Sequence, residues 1–146
     1  MRTALFTGSF NPFTIGHADI VNRALTVFDK VVIGVGYNPS KGTLSDIESR
    51  VYNIKEVYKD NPNVSVEAYS DLTVDFARRH GATTIIKGVR SVQDFEYERA
   101  QAEVNSLIGD GIETVFFFAR PELASISSSV VRELQLFGKD ISKFLP

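Results

Sequence analysis

The sequence predicts an α/β domain built on a five-stranded parallel sheet with helices on its faces. Three observations carry that reading. Five short runs rich in β-branched or aromatic residues alternate with segments of helical apolar spacing. Continuous β-branched or aromatic runs suit strands buried on both faces, as in a parallel sheet. The connections are short, which suits crossover helices on a single sheet. With 146 residues, 43% hydrophobic and 23% charged, the chain has the size and balance of one ordinary domain, expected to span 1–146.

The strands are expected at Arg2–Thr7, Lys30–Gly36, Val64–Tyr69, Thr83–Lys87 and Thr114–Phe118. The first helix is expected over His17–Phe28, where Ile20, Val21, Ala24, Leu25 and Phe28 form one stripe. Ser45-Asp46-Ile47-Glu48 has the form of a capping box and opens a helix to about Tyr58. Asn61-Pro62-Asn63 ends that unit by turn chemistry. A third helix runs from near Asp71 to His80, with Gly81 where a C-terminal glycine stands. Ser91-Val92-Gln93-Asp94 repeats the capping pattern and opens a helix to about Ile108, followed by the turn Gly109-Asp110-Gly111. The last helix starts within Ser127-Ser128-Ser129 and runs to Phe137, before Gly138.

Composition removes several classes of function. A net charge of −2 argues against a broad electrostatic grip on nucleic acid. With no cysteine there is no disulfide, thiolate nucleophile or cysteine zinc site. His17 and His80 are the only histidines, too few for a histidine-rich metal site, and no protein metal centre is expected. No stretch approaches a membrane span, and no basic segment leads into a long apolar run at the N-terminus. A cytoplasmic domain with no membrane partner is expected. Gly34-Val35-Gly36 lacks the third glycine of a dinucleotide fingerprint, Gly36 to Gly42 misses the P-loop spacing, and no Gly-x-Ser-x-Gly elbow is present.

In open parallel sheets the ligand crevice lies beyond the carboxyl ends of the strands. That rule selects Gly8–Gly16, Tyr37–Ser45, Ser70–Thr73, Gly88–Ser91 and Ala119–Ser129. With the flanking His17 and Lys87, these loops bring Lys41, Arg90 and Arg120, which suits an anionic ligand such as phosphate. Thr7 to His17 is a strand-to-helix loop with Gly8, Pro12 and Gly16. Free N–H groups and the helix dipole make it a plausible anion site, while a plain turn with a capping histidine explains it as well. Ser125, Ser127, Ser128 and Ser129 form a second hydroxyl-rich helix start, and one serine suffices for a cap. His80 reads as a helix C-terminal residue. Asp94 and Glu98 share a helix face, which leaves a structural and an acid–base reading open.

Gly8-Ser9-Phe10-Asn11-Pro12 with Thr14-Ile15-Gly16-His17 resembles the T-x-G-H signature of the nucleotidyltransferase superfamily. Ile126-Ser127-Ser128-Ser129-Val130-Val131-Arg132 resembles its second signature. Pro39-Ser40-Lys41, the segment Lys87 to Glu98 and the ending Phe144-Leu145-Pro146 narrow the likeness to the bacterial phosphopantetheine adenylyltransferases. The resemblance implies a Rossmann-like nucleotidyltransferase fold with strand order 3-2-1-4-5. It implies that ATP and 4′-phosphopantetheine give dephospho-coenzyme A and pyrophosphate, with Mg2+ held by phosphates. It also implies a homo-oligomer, by family a hexamer.

The same resemblance assigns residues. Ser9, Phe10 and His17 would contact ATP phosphates. Gly88, Val89, Arg90 and Glu98 would line the nucleotide site, closed by Leu123, Ala124, Ser125, Ile126, Ser127, Ser128 and Ser129. Ser9, Lys41, Thr73 and Lys87 would hold phosphopantetheine. His17, Lys41 and Arg90 are the candidates for stabilising the charge that grows during transfer. Lys87, Leu123 and Gly42 stand where relatives commonly carry an arginine, an aromatic residue and a second lysine.

Overall fold

The computed structural model describes Met1 to Pro146. The chain runs β1 (Thr3–Gly8), α1 (Ile15–Ala24), β2 (Lys30–Gly36), α2 (Leu44–Val57), β3 (Val64–Tyr69), α3 (Thr73–Arg79), β4 (Thr84–Val89), α4 (Val92–Ile108), β5 (Glu113–Phe118) and α5 (Ser128–Leu136). Single 3-10 turns lie at Pro121–Leu123 and Ser142–Phe144. The strands form one parallel sheet in the order β3-β2-β1-β4-β5, as the sequence led us to expect.

The two-residue period of the strands divides the core between the faces of the sheet. Ala4 and Phe6 of β1 join Val31, Ile33 and Val35 of β2 in a cluster covered by α1 and α2. Leu5 and Val32 point the other way and pack on Phe76 and Ala77 of α3. Phe76 is fully buried, so its truncation to alanine would cost about 3–5 kcal/mol. α4 lies beside α3 against β4 and β5, yet none of its residues is buried. No helix is long and apolar enough to cross a membrane.

The helix boundaries differ from the expected ones for identifiable reasons. α1 starts before His17 because Thr14 is its N-cap. It stops at Ala24 because the N–H groups of Thr26 and Val27 turn back to the carbonyls of Arg23 and Ala24, three residues behind. Phe28 still reaches the core, but from the turn. α2 is capped by Thr43, whose hydroxyl accepts the Asp46 N–H at 3.2 Å, so the capping box read at Ser45 is displaced by two residues. α3 begins at Thr73 rather than Asp71, and Asp71 reaches forward to pair with Arg79. His80 ends α3, pairs with Glu67 at 3.0 Å, and precedes Gly81 in the left-handed conformation (φ +65°). Ser91 caps α4 through the Asp94 N–H at 3.1 Å, as the sequence indicates.

The strand order reverses between β1 and β4, neighbours in the sheet but far apart in the chain. Their carboxyl ends part there and leave a crevice.

Candidate active site

A cleft of about 320 Å³ occupies that switch point. Thr7 and Gly8 enter it from β1, Lys87 and Gly88 from β4, and Arg90 and Glu98 from the loop and helix after β4. Thr14, Gly16, His17 and Ile20 come from the start of α1. Ala119, Leu123, Ile126 and Ser127 to Ser129 close the opposite wall. The two loop-to-helix starts therefore face one space. Each contributes unpaired N–H groups and the positive end of a helix dipole.

The loop between β1 and α1 is set by aromatic packing. Phe10 adopts φ +48°, a left-handed conformation that a bulky residue rarely takes, and is only 3% exposed. That turn folds its ring back onto Phe6 at 5.2 Å and Phe13 at 5.3 Å between centroids. A Cβ on Gly8 would meet the Phe10 ring at 3.0 Å. The missing side chain at Gly8 thus makes room for the Phe10 ring.

His17 is the third residue of α1, and its ring stacks on Phe13 (5.3 Å) with the Phe10 edge at 5.0 Å. Its Nδ1 accepts the Thr14 backbone N–H at 2.9 Å, while the Thr14 hydroxyl accepts the His17 N–H at 3.4 Å. This is a capping box with histidine in the place usually held by glutamate or glutamine. A nitrogen that accepts a hydrogen bond carries no proton, so the neutral ring has its proton on Nε2. Burial, with a smaller contribution from the Arg90 charge, lowers the His17 pKa from 6.5 to about 4. At neutral pH, His17 is an uncharged donor whose only free polar atom is Nε2–H. Capping thus fixes the tautomer and leaves Nε2–H as the free donor, which is compatible with either reading of this loop.

The cations at the end of β4 are already partnered. Lys87 Nζ lies 3.4 Å from the Thr7 carbonyl and 3.6 Å from Glu98, and both side chains are about one-fifth to one-quarter exposed. Arg90 Nε lies 3.4 Å from Asp94, which also accepts the Arg90 backbone N–H at 3.2 Å. Asp94 and Glu98 therefore each serve a cation, which favours the structural reading of this pair.

The serine wall is stapled to the first loop. Ser128 Oγ donates to the Pro12 carbonyl at 2.7 Å, and Arg132 donates to the Asn11 carbonyl at 2.6 Å. Ser127 caps α5 by accepting the Val130 N–H, and Ser129 accepts from Arg132 at 3.3 Å. Three of the four hydroxyls thus have protein partners, and Ser125 is exposed.

Of the residues singled out from the sequence, Ser9, Phe10, His17, Lys87, Gly88, Arg90, Glu98, Leu123, Ile126, Ser127, Ser128 and Ser129 line this cleft. Five lie outside its lining. Val89 is buried in the sheet, Ala124 is half-buried and Ser125 is exposed. Thr73 shares a hydrogen bond with the Tyr69 hydroxyl at 3.0 Å. Lys41 is exposed and lines a smaller cleft between Tyr37 and Ile47. Arg120, read as a crevice cation, is turned onto Asp19 at 2.9 Å. Thr14 and Ala119 lie in loops that the sequence selects but receive no individual role there, and Ile20 reads only as part of the α1 apolar stripe, with nothing local to mark it as cleft lining.

Residues 5–134 match the cytidylyltransferase-like family. The whole chain is 53% identical to phosphopantetheine adenylyltransferase of Phocaeicola vulgatus, over 96% of that protein. It is 51% identical to the enzyme of the same name from Bacteroides fragilis, over 97% of its length. The bifunctional NMN adenylyltransferase/ADP-ribose pyrophosphatase from Francisella tularensis superposes on 99% of the chain with a TM-score of 0.73 and 16% identity, the overlap spanning 44% of that larger protein. At that identity the superposition speaks for the fold alone. Sequence identity at this level over the full chain decides the family: the chain is a cytidylyltransferase-like protein and belongs to the phosphopantetheine adenylyltransferases.

Proposed function

We infer that the protein transfers the adenylyl group of ATP to 4′-phosphopantetheine, releasing pyrophosphate and forming dephospho-coenzyme A. The observation that carries this reading is the meeting of two helix N-termini, a neutral His17 and the cations Lys87 and Arg90 around one cleft at the switch point. The full-length identity to proteins of that name supports it.

In the reaction an oxygen of the acceptor phosphate attacks the α-phosphorus of ATP, and the bond to the pyrophosphate oxygen breaks on the opposite side. The acceptor phosphate is ionised at neutral pH, so no side chain has to remove a proton. The protein contributes position and charge stabilisation. His17 Nε2–H donates to the phosphate oxygens as their charge grows. Arg90 and the α5 start (Ser127, Ser128, Ser129) receive the leaving pyrophosphate. Ser9 and Phe10 supply the loop beneath the phosphates. Gly88, Val89, Glu98 and the segment Leu123, Ala124, Ser125, Ile126 form the nucleotide side. Ser9, Lys87, Lys41 and Thr73 bind the acceptor, Lys41 and Thr73 from the rim.

Mg2+ bound to the triphosphate oxygens would supply further charge neutralisation of the phosphates. No three histidine, aspartate or glutamate side chains cluster in a way that could hold a metal ion, and the cleft carboxylate Glu98 is committed to Lys87. Those donors fit an ion carried by phosphate and water rather than by a protein cage. We also propose that residues 1–146 act as one cytoplasmic domain and assemble as a homohexamer. The support for assembly is α4, which buries no residue and exposes Val92, Tyr97 and Leu107.

The deciding experiment is pyrophosphate release from Mg·ATP with 4′-phosphopantetheine, nicotinamide mononucleotide or glycerol phosphate as acceptor. Release with the first alone is the expected result. Release with another acceptor alone would reassign the substrate, and ATP binding without turnover would make this a nucleotide-binding module.

A further inference from the structure

Asp19 lies on α1, two residues beyond His17, and does not line the cleft. Its side chain is only 18% exposed, and each carboxylate oxygen has its own partner. Oδ1 accepts from Arg120 Nε at 2.9 Å. Oδ2 accepts from Arg23 Nη1 at 3.2 Å. The same Nη1 donates to the Phe118 carbonyl at 2.7 Å, and the guanidinium lies 5.6 Å over the Phe117 ring. One carboxylate on the helix that carries His17 thus holds the last residues of β5 and, just beyond them, Arg120.

The chain beyond Arg120 forms the cleft wall. The Leu123 N–H donates to the Arg120 carbonyl at 2.9 Å, closing the turn Pro121–Leu123. The Ile126 N–H then donates to the Leu123 carbonyl at 3.0 Å. Leu123 and Ile126 both line the cleft. The far end of the same segment is fixed by Ser128 and Arg132 on the carbonyls of Pro12 and Asn11. Between these two attachments the wall has only its own short-range backbone bonds.

We propose that Asp19 and Arg120 form a positioning clamp that sets the distance between the His17 helix and the Leu123–Ile126 wall, and thereby the affinity for ATP. Neither residue touches the nucleotide. The clamp acts on ground-state binding, because it fixes a wall and aims no group at the reacting phosphorus. This inference rests on the assignment of that wall to the nucleotide and is independent of which acceptor is used.

The test is calorimetric titration of Mg·ATP into wild type, Arg120→Ala, Asp19→Asn and the double variant, with steady-state kinetics alongside. Loss of one partly exposed pair with an ordering role is expected to raise the ATP Kd about threefold to tenfold. Asp19→Asn and the double variant should give the same factor as Arg120→Ala, because either change opens the same clamp. Arg120→Lys, which keeps the charge but loses the planar donor fork, should recover part of the loss. KM for ATP should follow Kd, with kcat and the acceptor KM unchanged. A purely stabilising ion pair would instead lower Tm and leave the Kd of the folded protein unaltered.

Arg120 is half exposed, so its removal tests the clamp even if Asp19→Asn folds poorly. An ATP Kd unchanged in Arg120→Ala overturns the proposal. A weakened Arg120→Ala beside an unaffected Asp19→Asn also overturns it, since Arg120 would then contact the nucleotide itself. Wild type that binds ATP and turns over a different acceptor leaves the clamp intact while the substrate assignment falls. Wild type that binds no ATP removes both.

Discussion

The wall around His17 and the loop around Lys41 both come after strands that end on the same edge of the sheet, yet they are built differently. At His17, ring, backbone and neighbours are mutually fixed: Thr14 holds Nδ1, Phe13 and Phe10 hold the ring, and Ser128 and Arg132 tie the loop to α5. At Lys41 the chain is exposed, and its local bonds run within the turn, from Ser40 to Asn38. On the proposed assignment, the phosphate side is held by contacts already in place, whereas the acceptor rim at Lys41 is exposed and fixed only by bonds within its own turn. Preorganised donors act on the chemical step, whereas a rim that orders on binding acts on affinity. Variants on the two sides should therefore differ in which kinetic constant they change.

The largest effect is expected at His17. In the proposed reaction His17→Ala removes a donor aimed at developing charge, a loss that typically costs about 2.7–4 kcal/mol, or about 10²–10³ in rate. ATP binding should fall only modestly. Steady-state kinetics with the folded fraction measured will check this. A kcat within a few-fold of wild type, with only stability reduced, would reduce His17 to a helix cap.

Lys87 and Lys41 come next, and they should separate. Lys87→Ala removes a half-buried cation and leaves Glu98 without its partner, so acceptor binding should weaken by about 1.5–3 kcal/mol. Lys41→Ala removes a solvated cation and should cost the acceptor about 1 kcal/mol or less. Titrating phosphopantetheine and ATP separately resolves the two. Equal losses for both ligands at either lysine would contradict the division between the sides.

Thr14→Ala should combine a modest change in stability with a disproportionate change in rate. Loss of an N-cap hydroxyl costs about 1 kcal/mol, readable as a lower Tm. The same variant loosens the His17 ring through the lost hydroxyl contact at 3.2 Å, so kcat should fall while the ATP KM holds. A rate unchanged per folded molecule would mean that the backbone N–H of residue 14 orients the ring unaided.

The sheet was legible in the sequence because its signal is local. Lys30–Gly36 is an apolar run after its first residue and Val64–Tyr69 alternates apolar residues with Ser65 and Glu67, and the structure reproduces both to the residue. Helix starts were less legible where two hydroxyl residues compete. Thr43 and Ser45 are both good caps, and only the three-dimensional path of the Tyr37–Leu44 loop selects Thr43. In the site, the two loop-to-helix starts were readable as motifs, since each is a contiguous segment. The duties of Ser128, Arg120 and Glu98 were not, because each is defined by a partner 11 to 116 positions away in the chain. Asp19 and Arg23 stood four apart next to His17, a local cue whose meaning depends on β5 arriving beside them.

The proposed reaction requires His17 to be neutral and protonated on Nε2 when it meets the phosphates. With only two histidines in the chain, nitrogen-15 NMR of the imidazoles is readily assigned using His80→Asn. The expected spectrum shows His17 as the Nε2-protonated neutral tautomer at pH 7, titrating near pH 4. A folded pKa below the unfolded value of 6.5 means that the unfolded chain binds the extra proton first. The corresponding stability, up to about 3 kcal/mol, is present above pH 6.5 and is lost as pH falls toward 4. A His17 ring that titrates near 6.5, or that carries its proton on Nδ1 at pH 7, would contradict the account.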